Sequence, residues 1–208
     1  MQFSVDKATA SRSKFAYKKE FRRAKPFVQE NIGKYSAKIA AMVDSAIQAK
    51  GVVLVYTQYI DGGIVPCALA LEERGFTRAT PGLGLLESPP AASGSKYVVI
   101  SGDRGLSPDN ANEVVMATNK SNKDGDDVKV ILITLAGSEG IDLKFIRQVH
   151  VLDPWYNMNR IEQIIGRAVR NCSHKDLLLV QRNVMLFLYV SMLPGTPDIE
   201  AADLYVYR

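Results

Sequence analysis

The sequence has 208 residues, of which 47% are apolar and 23% charged, the balance of a soluble globular chain and not of a disordered or membrane-spanning one. That length suits one α/β domain with a sizeable core, and no apolar run approaches a membrane span. The formal net charge of +4 is uneven: up to Lys38 ten basic residues face three acidic ones, a local +7 that leaves −3 for the rest. A basic start suits contact with a phosphate backbone and equally suits a solvated linker. The opening Met-Gln-Phe-Ser-Val-Asp-Lys lacks a signal-peptide core. Cys67 and Cys172 have neither metal-ligand spacing nor a disulfide framework, which points to a reducing, intracellular setting without a membrane.

Residues Met1 to Lys25 show no clear apolar period and read as an extended lead-in from an upstream domain, so the expected division is a basic linker over 1–34 and one domain over 35–208. A helix begins at Tyr35-Ser36 with Ser36 as N-cap; Ile39, Ala40, Met42, Val43, Ala46 and Ile47 form its buried side. Gly51 stops it, and Val52-Val53-Leu54-Val55-Tyr56-Thr57 follows as a continuous apolar run, the pattern of a parallel strand covered on both faces. Asp61-Gly62-Gly63 turns into a helix from Ile64 to Arg74, with Pro66 tolerated in the first turn. Thr77 to Lys96 is rich in Gly, Pro and Ser and predicts a loop. Its Gly94-Ser95-Lys96 imitates the end of a phosphate-binding loop but lacks the earlier glycine and the following Ser or Thr.

Tyr97 to Ile100 is the next predicted strand, and Ser101-Gly102-Asp103 a turn whose backbone can approach a phosphate. Pro108-Asp109 starts a helix with Val114, Val115 and Met116, and Asn119 to Asp127 is a polar loop. Val130-Ile131-Leu132-Ile133-Thr134 is a β-branched run short enough for a buried strand. The small-residue turn after it contains Gly137 and Gly140, which let a backbone approach a ligand, and Asp142, an acceptor suited to a ribose hydroxyl. Gln148 to Leu152 is another strand, closed by Asp153-Pro154-Trp155. His150 in that strand and His174 in a loop lack ligand partners and read as structural, and a lone Trp155 beside Pro reads as packing ahead of stacking on a base.

In the helix from Asn159 to Arg170, Ile161, Ile164, Ile165, Ala168 and Val169 recur at helical spacing as one buried stripe. Gln163, Arg167 and Arg170 share the opposite face. Alone, this is an ordinary amphipathic helix with solvated arginines. Beside a glycine-containing turn at a strand's carboxyl end, where open α/β sheets bind ligands, it is half of a nucleotide site. Asn183 to Val190 is a last strand, and Pro194-Gly195-Thr196-Pro197 breaks it before a tail that ends at Tyr207.

Ala136-Gly137-Ser138-Glu139-Gly140-Ile141-Asp142-Leu143 resembles motif V of superfamily 2 helicases and Snf2-type translocases. Gln163-Ile164-Ile165-Gly166-Arg167-Ala168-Val169-Arg170 matches the Gln-x-x-Gly-Arg-x-x-Arg form of motif VI, and Asp153 to Asn157 resembles the segment between them. The run from Arg170 to Leu177 is similar to a narrower group of large DNA virus helicases, which includes the poxvirus early transcription factor small subunit and nucleoside triphosphatase I. The resemblance spans roughly residues 35–208. It implies a RecA-like α/β fold, a parallel sheet with helices on both faces, serving as the C-terminal lobe of a two-lobe motor.

It further implies that Arg167 and Arg170 are arginine fingers and that Gly140, Asp142 and Gln163 hold the nucleotide. Thr57, Gln58, Gly102 and Thr134 would grip the nucleic-acid backbone. No Gly-x-x-x-x-Gly-Lys-Ser/Thr and no strand ending in Asp-Glu occurs, so the first lobe would hold ATP and Mg. The implied partners are that lobe, nucleic acid (DNA ahead of RNA) and viral RNA polymerase or transcription factor subunits, in a virion or host cytoplasm. The tail implies a piece of a longer protein, and the missing phosphate-binding loop and Asp-Glu strand imply that this piece is inactive by itself. The alternative is a helicase-like docking module without catalysis, although paired arginines are not needed for docking.

Overall fold

The computed structural model describes residues 14–138, 140–155 and 157–192. The proline-rich break at Pro194 and the tail beyond it lie outside them, as do residues 1–13 of the lead-in. Six strands form one sheet: β1 (Val52–Tyr56), β2 (Thr77–Arg78), β3 (Lys96–Ile100), β4 (Val128–Ile133), β5 (Ile146–Val151) and β6 (Met185–Leu188). Their order is β2-β3-β4-β1-β5-β6 and every pairing is parallel. Parallel neighbours need crossovers, and the helices α1 (Gln29–Tyr35), α2 (Ala37–Gln48), α3 (Val65–Glu73), α4 (Asn110–Thr118), α5 (Leu135–Ser138) and α6 (Met158–Ala168) lie between and before them.

The strands read as unbroken apolar runs because both faces are covered. Alternate residues Val53, Val55, Tyr97, Val99, Val130 and Leu132 join α1, α2 and α3 in one core. Val52, Leu54, Tyr56, Val98, Ile100, Ile131 and Ile133 point the other way and meet Ala117 of α4 and Ile161, Ile164 and Ala168 of α6. Each such aliphatic side chain contributes about 1.5–3 kcal/mol when fully buried, so the central strands anchor the molecule. The result is the RecA-like α/β arrangement.

Ser36 caps α2 by accepting from the Ile39 amide at 3.3 Å, and α2 buries Ile39, Met42, Val43 and Ala46; Ile47, expected inside, is 39% exposed. The expected loop after α3 contains the two-residue β2, too short to serve all of β3. Side chains complete the pairing: Val99 donates its amide to Glu113 Oε2 at 2.6 Å, and its carbonyl accepts from Ser107 and from Arg78. Arg78 and Glu113 form a buried ion pair at 2.7 Å, with the guanidinium 5.5 Å over the Tyr97 ring. Tyr97 in turn donates to the buried Glu72, which also accepts from the amides of Leu85 and Leu86.

The described part of the lead-in is docked. Phe15 bridges to Leu86, Tyr17 donates to Glu73 at 2.7 Å, and Phe27 and Ile32 join the core. At the other edge β6 pairs with β5 but leaves Met185, Leu186 and Leu188 between 44% and 57% exposed. No helix among the described residues is long and apolar enough to cross a membrane.

Candidate functional site

The carboxyl ends of β1, β3, β4 and β5 gather most of the residues singled out by the sequence. At the end of β1, Thr57 is fully buried. Its hydroxyl donates to Asp153 Oδ2 at 2.5 Å, and the Gln58 amide donates to the same oxygen at 3.0 Å. A Cβ on Gly63 would stand 2.0 Å from the Thr57 hydroxyl, so the turn before α3 closes tightly over that side chain. Asp153 thus ties the ends of the neighbouring strands β1 and β5 together. Burial raises the pKa of the neighbouring Tyr56 phenol; Arg160 opposes the rise and Asp153 adds to it, which locates both charges nearby. Arg160 itself stacks 4.2 Å over the Trp155 ring.

At the end of β4, Thr134 is buried and its hydroxyl accepts from the Gly137 amide at 3.3 Å, which caps the short α5. Gly137 lies directly on the end of β3: a Cβ there would be 2.3 Å from the Ile100 carbonyl oxygen. Gly102 is exposed, and a Cβ on it would be 3.0 Å from the Ala136 methyl, so the β3 turn and the β4 turn share one surface. Gly140 has a different reason to be glycine. Nothing crowds it, but its φ of +71° belongs to the left-handed region that glycine adopts freely.

Helix α6 begins at an Asn157 cap, with the Asn159 amide donating to Asn157 Oδ1 at 3.0 Å. Its apolar stripe is buried through Ile161, Ile164 and Ala168, which turns the polar face toward the β4 turn. There the two arginines meet that turn. Arg167 Nη1 donates to the Ile141 carbonyl at 3.2 Å, and Arg170 Nη1 donates to Asp142 Oδ1 at 3.3 Å. Each contact uses one nitrogen of a guanidinium that carries five N–H donors. The Arg170–Asp142 pair has more than half of each side chain exposed, and such pairs contribute about 0–1 kcal/mol. A phosphate could therefore displace the carboxylate at little cost.

A latch beyond α6 holds this register. The Ser173 amide donates to the Arg170 carbonyl at 3.0 Å, and the Ser173 carbonyl accepts from Phe145 at 3.2 Å. His174 Nε2 lies 2.6 Å from the Ile146 carbonyl, which can only accept, so Nε2 carries a proton, and Nδ1 lies 2.8 Å from the Ser173 hydroxyl. The helix end and the start of β5 are fastened through two side chains.

The structure joins Asp142 to Arg170, Ile141 to Arg167, Thr134 to Gly137 and Thr57 to Gln58. Thr57 and Thr134 spend their hydroxyls on internal bonds. Gln163 is exposed on α6 and makes no hydrogen bond among the described residues. Sequence reasoning assigned no role to Asp153, Ser173 or Arg160. A carboxylate directly after a buried strand was a usable signal for Asp153; the Ser173–His174 latch had none, since its partners lie about 28 residues away. No group of three or more His, Cys, Asp or Glu side chains converges as for a metal ion among the described residues.

A family model described as the helicase conserved C-terminal domain matches residues 37–172, more than half of the chain. A protein of Acanthamoeba polyphaga mimivirus, provisionally named an ATP-dependent RNA helicase, is 33% identical over 165 residues, covering 78% of this chain and 27% of its own length. A termination factor NPH-I homolog of African swine fever virus is 28% identical over 184 residues, covering 76% of this chain and 26% of its own. The chain thus spans about a quarter of the length of these relatives. The crystal structure of the C-terminal part of the Fun30 ATPase domain is 16% identical with a TM-score of 0.49, covering 76% of this chain and 45% of that one. The chain belongs to the helicase conserved C-terminal domain family.

Proposed function

We propose that the chain is the second motor lobe of an ATP-dependent nucleic-acid helicase or translocase that acts in viral transcription. The observation that carries this reading is the meeting of Arg167 and Arg170 with the Ile141–Asp142 turn at the carboxyl edge of the sheet. Two cations, Arg167 in the last turn of α6 and Arg170 just past its end, beside a ribose-competent carboxylate and a left-handed glycine, fit one side of a nucleoside triphosphate. In this reading Asp142 and the Gly140 backbone hold the nucleotide sugar, with Gln163 beside them. Arg167 and Arg170 reach the terminal phosphate when a first lobe closes over it. The first lobe holds ATP and Mg.

Nucleic acid, DNA ahead of RNA, then runs across the β1, β3 and β4 ends. Gly102 and Gln58 offer backbone and amide contacts there, while Thr57 and Thr134 fix the turns that present them. Such contacts position a strand without reading its bases. The mimivirus and African swine fever virus relatives support a viral setting, and the name termination factor supports a role in transcription.

The test is the ATPase rate of the longer protein with single-stranded DNA, duplex DNA and RNA, beside that of this chain alone. Strong stimulation by one nucleic acid with a silent fragment is expected. A longer protein that binds transcription proteins but hydrolyses no ATP with any of the three would replace this reading with a docking module.

A further inference from the structure

We infer that residues 14–25 form a fixed cationic surface for the sugar-phosphate backbone of duplex nucleic acid, on the opposite side of the sheet from Arg167 and Arg170. Lys14, Lys19, Arg22, Arg23 and Lys25 are all exposed within twelve residues, against the single acid Glu20. None of the five makes an ion pair among the described residues. Several cations elsewhere are matched: Arg74 with Asp44, Arg78 with Glu113, Lys96 with Asp127, Lys120 with Asp176 and Arg170 with Asp142. Lys50, Arg104, Lys144 and Lys175, exposed and without an ion pair among the described residues, are scattered along the chain and do not cluster in sequence as these five do.

The surface is held in place and does not trail as a loose arm. The Phe15 amide donates to the Leu85 carbonyl at 2.7 Å, its carbonyl accepts from Glu87 at 3.1 Å, and Phe27 is buried in the core of the α1–α3 face. That face lies across the sheet from the core in which α6 is seated. Arg22 and Lys25 also line an open cleft of about 350 Å³ with Tyr17, Glu87 and Ser88. A pre-ordered set of cations keeps more of its Coulombic attraction, because little side-chain and backbone freedom remains to be lost on binding.

Nucleic acid fits this surface better than an acidic protein does. Protein interfaces centre on buried apolar and aromatic anchors, and no large apolar side chain is exposed between residues 14 and 34. Unpaired lysines and arginines on a polar ground are the footprint of phosphate contacts. The surface goes beyond the motor-lobe reading and does not depend on its arginine fingers.

The experiment is fluorescence anisotropy of a labelled DNA duplex with this chain at 50–200 mM salt. It compares wild type with the Lys19→Glu/Arg22→Glu/Arg23→Glu variant and the milder Arg22→Gln/Arg23→Gln variant, each checked for unchanged thermal melting. Each lost phosphate contact reduces the slope of log K against log salt by about 0.9, so the triple variant should flatten it by about 2.7 and weaken binding more than tenfold at 50 mM. Lys175→Gln, which removes an exposed cation beyond α6, should leave the slope unaltered. Folded variants with wild-type affinity and slope would overturn the proposal, as would wild-type binding to polyglutamate as tight as to a duplex of equal charge.

Discussion

His150 is a buried imidazole whose charge state bears on stability. It stacks on Phe187 with ring centroids 4.4 Å apart, takes the Tyr189 hydroxyl on Nδ1 at 2.8 Å and meets Gln148 with Nε2 at 3.1 Å. Burial lowers its pKa to about 4, while burial and then the Cys67 charge push the Tyr189 phenol up to about 12, so Tyr189 remains a donor to a neutral ring. With the folded pKa below the unfolded one, the unfolded chain binds the extra proton. The contribution is therefore full above about pH 6.5 and is lost as pH falls toward 4, by about 3 kcal/mol. Urea unfolding across that window should show this loss in wild type and a flatter profile in His150→Gln; parallel profiles would refute it. At this scale the fixed spacing of a motif singled out Asp142, Arg167 and Arg170, which the structure brings to one turn. The sequence was uninformative for bonds between distant positions, such as Thr57 with Asp153 or His174 with Ile146, because a hydroxyl or imidazole carries no mark of its partner.

Elements were legible to the degree that their periodicity was long. Helix α6 was expected over Asn159–Arg170 and occupies Met158–Ala168; Val169 falls past its end and is 52% exposed, although it continued the apolar stripe. The buried strands β1, β3, β4 and β5 were all expected, since covering both faces leaves a continuous apolar run. Strand β2 was missed because two residues carry no pattern. Helix α1 was missed because only Ile32 marks its buried side. Strand β6 was found, but its side chains are more exposed than an apolar run suggests, since it sits at the sheet edge.

Two of the ion pairs should behave oppositely. Glu113→Gln leaves Arg78 charged and buried, with its Nη1 already lacking a partner among the described residues, and should cost about 3–5 kcal/mol. Asp142→Asn removes a solvent-screened partner from Arg170 and should cost less than about 1 kcal/mol. Chemical denaturation measures both, and similar losses in the two variants would contradict the assignment of one pair to the fold and the other to the site.

The described residues form a parallel sheet that gathers the candidate site residues along its carboxyl edge, with the inferred cationic surface on the side of α1–α3. The chain belongs to the helicase C-terminal domain family and spans about a quarter of the relatives' length; the proposed chemistry calls for another lobe. The most direct test is the nucleic-acid-stimulated ATPase of the longer protein carrying Arg167→Ala, with nucleotide affinity measured in parallel. The account predicts a fall in kcat of about 10³–10⁵, the usual contribution of an arginine finger, with nucleotide affinity largely kept. Near-normal turnover in that variant would contradict it.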